Sequence, residues 1–182
     1  MPRPPDPGSS ARKTLVVNGA GSGPSASKQE MVREMREPDG RIVRLGGAAG
    51  ALNDSVIAVP QLLKVPDLNY LGLDYLGEGA MGLMQRLRDA DPRSGFLPDF
   101  VDLHIGPHLA ELKARGIKVV SNAGGLNPEG LAEMIRARGR EQGVDLRVAA
   151  VTGDDLADRI PELRHAGVRE MFPGEPLPDG PI

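Results

Sequence analysis

Short apolar runs, each followed at once by a glycine- or acid-rich turn and then a helical pattern, most constrain what this chain can fold into. The turns are Gly46-Gly47-Ala48-Ala49-Gly50, Asp74-Tyr75-Leu76-Gly77-Glu78, Asn122-Ala123-Gly124-Gly125 and Thr152-Gly153-Asp154-Asp155. Strand–helix alternation at this spacing predicts βαβ units, hence a mostly parallel, Rossmann-like α/β sheet with helices flanking both faces. In such a sheet the carboxyl ends of the strands point one way, and the loops there form the ligand crevice.

The predicted strands are 41–45, 69–73, 117–121 and 147–151, and the predicted helices lie near 54–64, 76–90, 100–115, 127 onward and 156–166. Pro60 falls inside the first helix and delays or kinks it. Leu76, Ala80, Leu83, Met84 and Leu87 supply the apolar stripe of the second. Asn127 caps the fourth helix, with Pro128 at its first position and Glu129 in its first turn. Aromatics are scarce and tryptophan is absent, so Leu, Val, Ile, Ala and Met must build the core.

The ends read differently. Residues 1–40 are expected to be a disordered or weakly ordered leader, proline-rich at first, with a polar helix over 28–37 stopped by Pro38-Asp39-Gly40. Gly19, Gly21 and Gly23 have the wrong spacing for a dinucleotide fingerprint or a P-loop and are read as linker. The α/β domain is placed at 41–176 and a tail at 177–182; its prolines give the chain a connector-like end, so the sheet is expected to be incomplete at its C-terminus. Cysteine is absent, which removes disulfides and thiolate chemistry. A net charge of −3 with interspersed signs gives no case for nucleic acid or an anionic membrane. No apolar stretch reaches the ~20 residues of a membrane span and no secretory signal opens the chain, so a cytoplasmic location is the expectation.

Two readings attach to each turn. Gly124 and Gly125, before a helix N-terminus, either cradle an anionic oxygen or simply make a tight strand–helix turn. Asp74, Glu78, Asp154 and Asp155 either act in proton transfer or hold a hard cation such as Mg²⁺, or they complement helix dipoles. His104 and His108, four apart but interrupted by Pro107, are read as an ordinary surface pair rather than a metal site.

Five blocks in order carry a resemblance. They are Arg44-Leu-Gly-Gly-Ala-Ala-Gly, Asp54-Ser55, Leu68-Asn-Tyr-Leu-Gly-Leu-Asp-Tyr-Leu-Gly-Glu, Gly116-Ile-Lys-Val-Val-Ser-Asn-Ala-Gly-Gly-Leu-Asn-Pro and Val151-Thr-Gly-Asp-Asp-Leu. Over residues 41–176 the chain resembles the N-terminal domain of the acyclic terpene utilisation family (AtuA-like). The resemblance implies a role in catabolism of acyclic terpenoids through CoA thioesters, with a lyase step on a hydroxyacyl-CoA among the activities considered. It implies catalytic positions at Asp74, Glu78, Asp154 and Asp155. Substrate-binding positions would be Gly46, Gly47, Asp54, Asn122, Gly124, Gly125 and Asn127. The expected ligand is a small anionic molecule or an acyl-CoA, and a partner chain would complete the sheet. Against the family pattern, Asn53 stands where a glycine usually precedes the first-loop acid, and the family domain continues beyond residue 182. The alternative expectation is a non-catalytic binding or assembly module, or an inactive truncated paralogue.

Overall fold

The computed structural model describes residues 32–36, 40 and 42–177, with the side chains of 32–36 and of Glu78 outside the description. Four strands form one sheet in the order β1 (Val32–Arg36), β2 (Ile42–Ala49), β3 (Tyr70–Leu73) and β4 (Lys118–Ser121). The first pair is antiparallel and the other two are parallel, so the α/β, mostly parallel expectation holds.

β1 lies where a polar helix and a loose leader were expected. Its residues pair with β2 from Val32↔Gly46 to Arg36↔Ile42. Residues 1–31, and with them most of the expected leader, lie outside the described residues, as do Pro38 and Asp39 of the stop signal; Gly40 is in the left-handed region at φ +84. A short helix without an apolar stripe has little to hold it, whereas pairing along β2 satisfies a full row of backbone groups.

The second departure is at 147–151, which is not a strand. The segment just before it packs near helix α4 (Pro128–Glu141), with Val144 and Leu146 turned toward the core, while Val151 is 90% exposed. Gly139 makes the approach possible, since a Cβ there would sit 2.8 Å from the Val144 carbonyl oxygen and 2.9 Å from Leu146 Cδ1. The Val144 amide donates to the Gly139 carbonyl and the Arg136 guanidinium to the Val148 carbonyl, which draws the segment back over the helix.

Helix α1 (Ala58–Leu62) starts late, placing Pro60 in its first turn where no intrahelical donor is required. It buries Val59 and Leu62 against the sheet, and a Cβ on Gly46 would lie 2.9 Å from Leu62 Cδ2. Helix α2 (Glu78–Ala90) forms as expected but buries a narrower stripe, Ala80 and Met84, leaving Leu83 and Leu87 exposed.

The single helix expected over 100–115 is split into a π-helical turn (Phe100–Ile105), a 3₁₀ turn (Gly106–His108) and α3 (Leu109–Ala114). Pro107 has no amide to continue the α ladder. The Gly106 amide donates to the Val101 carbonyl, and a Cβ at Gly106 would lie 2.2 Å from that oxygen. Only glycine fits there. The last helix, α5 (Ile160–His165), follows a 3₁₀ turn and has no buried residue.

The core lies on one side of the sheet. Gly46, Ala48, Leu71 and Leu73 face it, beneath α1, the π-helical turn and α3. The opposite row, Gly47, Tyr70, Gly72, Lys118 and Val120, is partly or fully exposed, with Val120 at 63%. Helices therefore cover one face among the described residues, and the expectation of cover on both is corrected. Among those residues no helix is long and apolar enough to cross a membrane.

Candidate functional site

The register aligns Ala49, Leu73 and Ser121 at the carboxyl ends of β2, β3 and β4. The three following loops consequently meet along one edge. Ser121 Oγ donates to the Leu73 carbonyl at 2.7 Å and accepts from the Ala123 amide at 3.1 Å. Asn122 extends the clamp: its Oδ1 accepts from the Tyr75 amide at 2.8 Å, and its Nδ2 donates to Asp74 Oδ1 at 2.7 Å. Asn122 and Asp74, predicted separately, are thus one hydrogen-bonded unit. Asn122 is occupied in holding two loops together.

Gly46 and Gly47, expected in a loop, lie inside β2. Gly46 packs under Leu62 and Gly47 faces the open side of the sheet, so neither sits at the crevice. The turn begins at Gly50, whose amide donates to Asp54 Oδ2 at 2.8 Å, while the Ser55 amide donates to Oδ1 at 2.7 Å. These backbone donors hold the Asp54 carboxyl below its ordinary range, and the nearby His104 adds to the effect.

Gly125, Asn127, Asp154 and Asp155 do converge. With Met81, Leu126, Pro128, Glu129 and Thr152 they line a partly open cavity of about 250 Å³ between α2 and the head of α4. The glycines of this turn serve packing rather than ligand access. A Cβ on Gly124 would lie 2.7 Å from Pro128 Cα, and one on Gly125, at φ +47, would lie 2.1 Å from Met84 Sδ. Asn127 is equally occupied. Its Oδ1 accepts from the Gly130 amide at 2.9 Å, and its Nδ2 donates to the Arg93 and Ser94 carbonyls. Pro128 has no amide, and the Leu131 amide donates to the Asn127 carbonyl, so much of the anion-binding capacity of this helix end is used internally.

The acids separate by environment. Asp155 is bound by Arg88 Nη1 at 2.7 Å and accepts from the Ala157 amide, and both hold its carboxyl below the usual range. Arg88 also donates to the Leu126 carbonyl, tying the Asp155 loop to the glycine turn. A carboxylate held this way is a weak base. Asp154 lines the same cavity and is exposed. Asp74 accepts from Asn122 and the Leu76 amide through Oδ1. Glu78 opens α2, and its side chain lies outside the described residues. No group of three or more His, Asp or Glu side chains is placed to hold a metal ion among the described residues.

Sequence reasoning missed Arg88 and misjudged His104. Arg88 gave no signal, because an arginine late in an amphipathic helix is ordinary. His104 is 1% exposed, on the π-helical turn, and its ring stands edge-on to Tyr75 with centroids 5.6 Å apart. It forms no surface pair with His108. Phe100 also stands edge-on to Tyr75, with centroids 5.8 Å apart. Burial pushes the Tyr75 phenol above its ordinary range, and the charges of Asp99 and Asp54 add to that. The Gly106-Pro107 pair, which forbids a regular helix, was the available hint.

Comparison with curated proteins and with solved structures returns no match. Comparison with protein-family models gives one for the acyclic terpene utilisation family protein AtuA, over residues 43–181. That span contains every strand-end loop described above and most of the chain, and this protein belongs to the acyclic terpene utilisation (AtuA) family.

Proposed function

We propose that this domain acts on an acyclic terpenoid carried as a CoA thioester, with the acyl end lodged in the cavity between α2, the Gly125–Glu129 turn and the Thr152–Asp155 loop. The observation that carries this reading is the convergence of the two most family-specific segments on one 250 Å³ cavity. Glu129, Asp154 and Asp155 all border it, and Arg88 pairs with Asp155. Two carboxylates remain to oppose a negative ligand, so the uncharged acyl end enters and the phosphates stay outside, or Mg²⁺ accompanies them. Asp154, exposed at the rim, is the acid–base group best placed for a lyase-type proton transfer on a hydroxyacyl chain.

A second reading, an assembly module, is favoured by one feature: the uncovered sheet face around Val120. Parallel sheets normally have both faces covered. One experiment separates the two. Thermal unfolding is followed for wild type and Asp154→Asn, at two protein concentrations, with a panel of acyl-CoA thioesters with and without Mg²⁺. The enzyme reading expects a thioester to raise the midpoint, since binding to the native state alone stabilises it. A thioester-blind midpoint that rises with protein concentration refutes it in favour of assembly.

A further inference from the structure

Outside that cavity, two buried polar atoms stand out. Tyr75 Oη and His104 Nδ1 are both sealed from solvent, and neither finds a hydrogen-bond partner among the described residues. Such orphans are costly, about 1–3 kcal/mol each, and native proteins keep few of them without a use. These two belong to rings in direct edge-to-face contact.

Their setting is that of a site. Tyr75 follows β3 directly, beside the Asp74–Asn122 unit, at the carboxyl edge of the sheet. His104 is held on a π-helical turn, a local irregularity that recurs at functional positions. The surroundings are apolar, with Phe100, Val101, Leu73 and Leu97 all buried in the same cluster. The Asp54 loop comes close enough for its carboxylate to be felt by both rings. That loop carries Val56 and Ile57, 46% and 57% exposed, as an apolar lip.

We infer that Tyr75 Oη and His104 Nδ1 together hold the hydroxyl group of a small uncharged alcohol with an apolar body, at the carboxyl ends of β2 and β3. A hydroxyl has the right valence. It accepts from the phenol O–H and donates its own proton to the Nδ1 lone pair, so one oxygen can satisfy both orphans. A carboxylate or phosphate is disfavoured by the adjacent Asp54 and Asp99 charges. Both atoms are sealed, so the ligand enters only when a covering segment is displaced. This inference does not depend on the thioester cavity and is tested apart from it.

The probes are benzyl alcohol and toluene, alike in shape and different in the hydroxyl. Binding is measured by NMR titration, reading the ¹⁵N signals of the His104 ring. In wild type, benzyl alcohol is expected to shift those signals. In Tyr75→Phe the alcohol-to-toluene affinity ratio is expected to fall about tenfold, the equivalent of one buried hydrogen bond, with toluene binding unchanged. His104→Phe loses the preference likewise, while His104→Asn, which keeps an acceptor near the Nδ1 position, retains part of it. The two His104 variants decide the matter if Tyr75→Phe does not fold. His104 signals unmoved by the alcohol, or a ratio that survives these substitutions, overturn the inference. So does a resident water alone, seen as His104 signals that respond to Tyr75→Phe but to neither probe.

Discussion

Replacing Gly125 by alanine tests whether the most family-specific turn is built for packing. The residue sits at φ +47, where a Cβ costs about 1–2 kcal/mol. That Cβ would lie 2.1 Å from Met84 Sδ, 2.8 Å from Met84 Cε and 3.0 Å from the Gly95 carbonyl oxygen. Met84 is fully buried, so its sulfur has no open space to retreat into. Overpacking of this kind costs a further ~1–3 kcal/mol. Gly125→Ala is therefore expected to lose about 2–5 kcal/mol in urea unfolding, with Gly47→Ala as the control. Gly47 has no atom within 4 Å of a built Cβ and no positive φ, and its substitution should stay within ~0.5 kcal/mol. In a Met84→Ala background the clash with the sulfur disappears, and Gly125→Ala should cost only the backbone strain of about 1–2 kcal/mol and the tight approach to the Gly95 carbonyl. A Gly125→Ala variant as stable as Gly47→Ala, or a cost unchanged when Met84 is truncated, would refute the packing argument.

Two further outcomes follow from the site. Asn127→Ala removes the α4 cap and two donors to the 93–94 segment and should cost about 1–3 kcal/mol, whereas Asn127→Asp keeps the cap and loses less; chemical denaturation of the pair reads the difference. Asp54 and Asp155 both have carboxyls held below the ordinary range, so their contribution is present above the unfolded value near pH ~4 and is lost as pH falls through the folded ones. Both are largely solvated, so Asp54→Asn should flatten the acid limb of a stability–pH curve by only a few tenths of a kcal/mol, and an acid limb steeper than wild type would contradict the sign.

The periodic patterns alone specified much of this molecule. The β2, β3 and β4 runs, α2, and α4 with its Asn127 cap and Pro128 start are local decisions, made by apolar spacing and by residues that satisfy their own helix ends. The sequence left open whether the Asn127 and Asp154 segments meet; they do so at one cavity, although no strand leads into the Asp154 segment.

Tertiary structure decided the remainder, because the same local pattern serves more than one partner. Val32–Arg36 became a strand since β2 had a free edge to pair with. Arg147–Val151 did not; the chain before it is drawn over α4, where Gly139 admits Val144 and Leu146, and the Arg136 guanidinium holds the Val148 carbonyl. His104 looks like a surface residue in a list of spacings, and Pro107 and Gly106 turn it inward by forcing a π-helical turn. Which acids are tied and which stay open depended on Arg88 and on loop amides brought from distant positions. Sequence determines which elements form where the energy is local. Burial, edge pairing and charge environment are set by neighbours that only the folded chain brings together.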